Sequence, residues 1–505
     1  MDFQKQHLST SPSPIRFVLM LAFAAILAWW ISGCFKIDYY THNDAFLTFS
    51  KDTLRFDTVF TDVGSATRSI RIRNPYDQFI RISRIALERG SASKFRINVD
   101  GISYPDGIAE NVEIWPKDSI WVFVEVTINP DEPLSVSPFI LDEDLQIETN
   151  GNQQKVVLEA WGQNANYIPN NQFKGKLAVL SCNLEQESWD DPRPYVLYGA
   201  LFIDSCTLHL PPGTRIYVHG GIARNDLGIY NDGLIWTLAQ GKIVSEGTVD
   251  EPVIIQGDRL EPEFAEIPGQ WGGIRLGAGS KGNQFQYTTI KNSIVGIRAD
   301  SASSLTLANV RIYNNANIGL LGERASIQAS NSLFYNQGAQ SVAFTYGGNY
   351  QFDYCTIASY GNTSDAVYMD NFRCLNDECS SVTIYRLIAN WRNCIITGSG
   401  TDELNMVDAT NGKEPFAWEV LFANCVVRVK DLLDDYPNFL SQCRDCVENK
   451  EYTDPLFVNI DMAQYQLDTL SIAQGKAKPL PGITGDIDDQ PRDSAPDIGC
   501  YERQE

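Results

Sequence analysis

Histidine is scarce in this chain of 505 residues, which holds four, and methionine is hardly commoner at five. Beyond the amino-terminal segment only His42, His209 and His219 remain. Histidine is the commonest general base, so a histidine-based triad is not expected. Positive charge is also short. The 40 Lys and Arg stand against 63 Asp and Glu, a formal net charge of -23, which argues against nucleic acid as the main partner. No Gly-rich phosphate loop is present, so no nucleotide cofactor is expected. The apolar run from Phe17 to Ile31 is shorter than the roughly 20 residues a helix needs to span a bilayer. From Phe46 to about Asn164 helical periodicity is missing too.

What the amino terminus does have is ordered like an export signal. Lys5 and Arg16 precede the apolar run, and the run ends in Ile31-Ser32-Gly33-Cys34. Small residues before a cysteine resemble the bacterial lipobox, in which the cysteine is lipidated and becomes the first mature residue. The resemblance implies a signal peptide over 1–33, lipidation at Cys34 and an anchor linker over 34–45. Phe35, in place of Asp, resembles outer-membrane retention. Whether the protein faces the periplasm or the cell surface stays open.

Residues 46–164 alternate with period two. Arg68 to Asn74, Ile80 to Ile85 and Ser119 to Ile128 read as strands, and Asn74-Pro75, Asp100-Gly101, Asn129-Pro130 and Asn150-Gly151 read as turns. Seven or so short strands predict a β-sandwich. Thr58 to Gly64, followed by the strand ending at Asn74, resembles the immunoglobulin-like modules of bacterial surface proteins. A polar stretch from Asn164 to Lys176 marks the junction.

Beyond it the chain repeats. Tyr287, Asn309, Asn331 and Tyr354 each open a short β-type run, at steps of 22, 22 and 23 residues, and Asn393 and Asn424 continue the register after 39 and 31. Each run carries small or apolar residues two apart, Val310 with Ile312 and Ser332 with Phe334, so one face points inward. Units this short close a core only by stacking, which predicts a parallel β-solenoid over 177–430 with loops inserted at Asp370 to Arg386 and Thr401 to Phe416. Insertions on solenoids cluster on one face, often the binding face. Pro211-Pro212-Gly213-Thr214, Pro252-Val253-Ile254-Ile255 and Gln270-Trp271-Gly272-Gly273-Ile274 resemble the coils of right-handed parallel β-helix proteins of the pectate-lyase-like superfamily. The fold class is therefore all-β, a sandwich followed by a right-handed β-helix. Residues 431–505 are expected to cap it. Within them Asp486, Asp488 and Asp489 suggest a packing turn or, as a rival, a calcium loop.

Candidate sites follow from the same register. Cys355, Cys394 and Cys425 face inward, and Cys500 is expected to pack likewise, which leaves Cys182, Cys206, Cys374, Cys379, Cys443 and Cys446 for disulfides, neighbour with neighbour being preferred. A zinc site joining Cys374, Cys379, Cys443 and Cys446 is the alternative. The family resemblance implies chemistry with Ca2+ held by carboxylates beside a uronate and Arg or Lys as base, or a glycosidase with two or three carboxylates. Candidates are Asp365, Asp370 and Asp377 as carboxylates and Arg311 and Arg392, with Lys291, as bases. By parity with Cys355, Asp353 should point inward. Tyr313, Tyr335, Tyr354, Tyr360 and Trp391 suggest an outward aromatic row for sugar stacking, or a packed ladder. Asn309, Asn331, Asn393 and Asn424 suggest amides bonded up the stack. The preferred function is a non-catalytic lipoprotein, anchored to the membrane, whose β-helix binds glycan or an envelope protein as an adhesion or scaffold module. The alternative is a polysaccharide lyase or glycoside hydrolase, with Ca2+ if a lyase.

Overall fold

The computed structural model describes residues 38–503, apart from 61–66, 127–138, 164, 169–176, 221, 226–227, 232, 261–263 and 452. Cys34 and the segment expected to be an export signal lie outside these residues. The chain forms two units. In the first, ten strands make two antiparallel sheets, one ordered Thr48–Phe49, Arg68–Arg73, Ser119–Val126, Phe95–Val99, Ile102–Tyr104 and the other Thr53–Phe60, Asn152–Gln163, Phe139–Thr149, Ile80–Leu87, Ile108–Ile114. Strict alternation is what closes this sandwich. Ile120, Val122, Val124 and Val126 are buried with Ile70 and Ile72, whereas Trp121 and Phe123 face out.

The second unit is a right-handed parallel β-helix built from three sheets. Sheet A has 11 strands, and sheets B and C have nine each. A coil visits them in the order A, B, C, as in Thr288–Lys291, Ser293–Ala299 and Ser304–Ala308, before returning to A at Arg311–Asn315. Ile290, Ile312, Phe334, Ile357, Ile396 and Val427 pair in register down sheet A, and all six are fully buried. Each such side chain contributes about 1.5–3 kcal/mol by leaving water, so the column is a continuous core of the kind a single coil cannot make.

The repeating residue at the corner from sheet C to sheet A has a conformational cause. Tyr287, Asn309, Asn331, Tyr354, Asn393 and Asn424 all adopt positive φ, between 41° and 58°. A left-handed residue turns the chain in one step, and asparagine tolerates that conformation better than most L residues. The corner also resets the inside–outside alternation. Asp353 therefore points outward, paired with Arg392 at 2.6 Å, while Cys355 two residues later lies in the core. The parity expectation for Asp353 fails because it assumed one uninterrupted strand.

The carboxyl-terminal region does two jobs where one cap was expected. Short helices at Leu432–Asp435 and Phe439–Gln442 set Phe439 on Phe422 with ring centroids 5.6 Å apart and finish the core. From Leu456 to Tyr501 the chain instead runs back along the outside of sheet A. Its Phe457, Tyr465, Leu467, Ile487, Ile498 and Cys500 bury Leu333, Ala358, Ile395 and Val426. The corner asparagines hold this strap. Asn309 donates to the Asp486 carbonyl at 3.0 Å, Asn331 to Gly485 at 2.8 Å and Asn393 to Lys478 at 2.7 Å. Their amides bind the strap rather than one another, which corrects the ladder expectation.

Candidate functional site

The strap removes sheet A from consideration as a binding face. Tyr313 stacks on Tyr335 at 4.7 Å, Tyr335 packs on Tyr465 of the strap at 4.8 Å, and Tyr360 lies against Phe457 and Tyr465. Tyr354 is fully buried, and its hydroxyl donates to the Lys478 carbonyl. Trp391 is buried inside the helix between Phe352 and Phe422. The outward aromatic row is thus a covered ladder plus one core residue.

The proposed catalytic set is likewise dispersed. Arg311 pairs with Asp488 on the strap side, and Arg392 pairs with Asp353 on sheet C. Lys291 pairs with Glu266 at 2.7 Å. Asp365 precedes and Asp370 ends the strand Val367–Asp370 of sheet B, five positions or at most about 16 Å of extended chain apart. Asp365 accepts from Asn405, and Asp377 is exposed on the inserted loop. The cysteines pair as Cys182–Cys206, Cys374–Cys379 and Cys443–Cys446, so the four sulfurs of the zinc alternative are bonded in two separate bridges. Asp486 accepts backbone N–H groups of Asp488, Gln490 and Glu502, which makes that stretch a structural turn rather than a calcium loop.

Sheet B carries a different constellation on its outer face. Ala299, Gly322, Phe344 and Met369 stand in register, so the residues that follow them, Asp300, Glu323, Thr345 and Asp370, form a column along successive coils. Asp300 is held by Arg275 at 2.7 Å and Arg298 at 2.9 Å, and Arg298 also reaches Glu323 at 2.9 Å. Next to this column a cleft of about 320 Å³ is lined by Arg298, Ser301, Glu323, Arg324, Tyr346, Arg373 and Tyr385. The insertion after Asp370 folds as a hairpin, Phe372–Cys374 with Val382–Ile384, and brings Arg373 and Tyr385 to the cleft. Asp370 anchors its base by accepting the Tyr346 N–H at 2.7 Å, and burial pushes its carboxyl above the usual range.

The charge balance of this cleft is unusual for so acidic a chain. Arg324 lies over the Tyr385 ring at 4.5 Å and Arg373 over Tyr346 at 6.0 Å, and among the described residues neither makes an ion pair. Two guanidiniums with aromatic support and unused donors suit an anionic group. A larger cleft of about 640 Å³ lies at the last coil, lined by Met406, Trp418, Phe422, Tyr436 and Phe439 among others. Its carboxylate, Asp408, is taken up by the N–H groups of Thr410 and Gly412. Arg324, Tyr346 and Glu323 escaped sequence reasoning; the signal for Arg373 and Tyr385 was the insertion itself.

No protein-family model matches the sequence, and neither does any curated protein. Solved structures similar to the chain include the catalytic unit of a GH87 α-1,3-glucanase from Streptomyces thermodiastaticus strain HF3-3, at 10% identity over 71% of this chain and 72% of that one, with a TM-score of 0.29. Pectate lyase Pel9A is 11% identical over 67% and 86%, with a TM-score of 0.29. XylC in complex with xylose is 9% identical over 86% and 85%, with a TM-score of 0.32. With superpositions this partial, what the chain does is argued from its own residues.

Proposed function

We propose that this protein engages an acidic polysaccharide at the sheet B cleft and cleaves it there. The observation that carries the reading is the pair Arg324 and Arg373, two cations without carboxylate partners among the described residues, in a cleft that also holds Glu323. On a uronate the two guanidiniums neutralise the carboxylate, which makes the neighbouring ring proton easier to remove. Glu323, whose Oε2 is taken by Arg298, supplies Oε1 as the acceptor of that proton. The C–H electron pair forms a C=C bond, the glycosidic C–O bond β to the carboxylate breaks, and the departing oxygen takes a proton from water. Tyr346 and Tyr385 supply apolar faces for the sugar ring. Among the described residues no group of three or more His, Cys, Asp or Glu is gathered as a Ca2+ site requires, so no step is routed through that ion.

A second reading, binding without cleavage, is favoured by the Arg298–Glu323 ion pair, which occupies one of the two carboxylate oxygens of Glu323. In either case Cys34 serves as the lipid anchor and the sandwich as the spacer of an outer-membrane lipoprotein. The test uses mature protein without its lipid, incubated with polyuronates, sulfated glycans and neutral glycans, with and without Ca2+. Binding, unsaturated products and reducing ends are followed together. Arg324→Ala with Arg373→Ala should weaken binding of the acidic polymer at least about tenfold, the loss of one charge-assisted contact or more. Binding with no product would leave the second reading. Equal binding by the double variant would remove the cleft from both.

A further inference from the structure

The outer face of sheet C carries a hydrogen-bonded chain that neither reading uses. Ser188, His209 and Glu246 come from three successive strands, Gln186–Ser188, Thr207–Leu210 and Lys242–Glu246. Ser188 Oγ lies 3.0 Å from His209 Nδ1, and His209 Nε2 lies 2.9 Å from Glu246 Oε2. The arrangement satisfies one tautomer throughout. With the proton on Nε2 the imidazole donates to the carboxylate, and the Nδ1 lone pair accepts the serine hydroxyl. Ser188 and His209 are paired in register, but the residue paired with His209 on the next coil is Val244. A simple polar ladder would continue through that position. Glu246 instead reaches back from two residues further on. The His209 side chain is 18% exposed and the Glu246 side chain 58%, so the chain of groups is open to solvent.

We infer that Ser188, His209 and Glu246 form a nucleophile, base and orienting acid for hydrolysis of short O-acyl esters. Nucleophile and base within hydrogen-bond reach, with the base oriented by a third group, is the recurring geometry of acyl transfer, and here a rigid stack of coils holds it. Ser188 Oγ attacks the acyl carbonyl while its proton passes to His209 Nδ1. The C–O bond of the ester breaks, and the departing alkoxide takes that proton. Water, deprotonated by His209, then hydrolyses the acyl-serine and restores the hydroxyl. Glu246 is a positioning residue that stabilises the imidazolium formed in between. Thr207, two residues before His209, and Lys242, its register partner on the next coil and four residues before Glu246, stand on the same face and are assigned as the donors to the oxyanion. The open sheet face suits an acyl group carried on a polymer.

The whole mature protein is treated with a fluorophosphonate and, separately, with p-nitrophenyl acetate. The expected adduct is on Ser188, located by peptide mass, and p-nitrophenolate release falls at least about a hundredfold in Ser188→Ala and in His209→Gln. Glu246→Gln should lower kcat with KM little changed, as an orienting group does. Adduct formation on the unmodified protein needs no variant to fold. No adduct on Ser188, or hydrolysis by Ser188→Ala equal to that of the parent, overturns the inference.

Discussion

Asn393 combines the two tasks of the corner residues. Its backbone sits at φ 55°, and its amide both donates to the Lys478 carbonyl at 2.7 Å and accepts the Lys478 N–H at 3.1 Å. Asn393→Ala gives up the tolerated left-handed backbone, about 1 kcal/mol, and leaves the Lys478 N–H without its partner at about 1 kcal/mol, while the Lys478 carbonyl keeps the Tyr354 hydroxyl. A loss of about 2 kcal/mol in urea unfolding is expected, with Asn393→Gly recovering only the backbone part. Glu403 makes a different single-residue prediction. It is fully buried, it accepts the N–H groups of Ala366 and Gly400, and burial pushes its carboxyl up from 4.5 to about 7. A raised acid binds its proton more tightly in the folded state. Its contribution is therefore complete below about pH 4.5 and is lost as pH rises through about 7, a change of about 3 kcal/mol. Stability measured across that window should decline less steeply in Glu403→Gln than in the parent. An equal slope would assign the decline to other groups.

Elements repeat because each coil solves the same problem. The register at 309, 331, 393 and 424 was legible as asparagine, since the corner conformation selects that residue, and the inward columns were legible as period two. At Asp353 the same period misled, because a left-handed corner lies between it and Cys355 and no periodicity crosses such a corner. The disulfides allow a comparison between elements. Cys182–Cys206 closes a loop of separation 24, whereas Cys443–Cys446 closes one of 3. Loop-closure entropy assigns about 3.5 kcal/mol to the first and about half of that to the second. The double serine variant of the first should lose several degrees in Tm, and that of the second about half as many. A reversed order would show that native strain outweighs chain entropy here.

At the scale of the molecule, the strap decides which surfaces exist. Without residues 455–505, sheet A would expose Leu333, Ala358, Ile395 and Val426 in one row, an apolar patch that soluble proteins avoid. That truncation is expected to bind an apolar dye and to aggregate, while a chain lacking only 504–505 behaves as the parent. A soluble, dye-silent truncation would show that the strap is dispensable.

Composition, the 22-residue register and the turn residues determined that the chain is all-β, that it begins with a sandwich and that it continues as a parallel β-helix. These are properties of short segments, in which neighbouring residues carry the signal. Which outer face stays open was decided only in three dimensions. Arg298, Glu323, Tyr346 and Arg373 are far apart along the chain, and they meet because successive coils stack in register and an inserted hairpin folds onto sheet B. Ser188, His209 and Glu246 are separated by 21 and 37 residues and meet for the same reason. Stacking turns distance in sequence into adjacency across about 4.8 Å, and a reading of local pattern cannot see which side chains share that spacing.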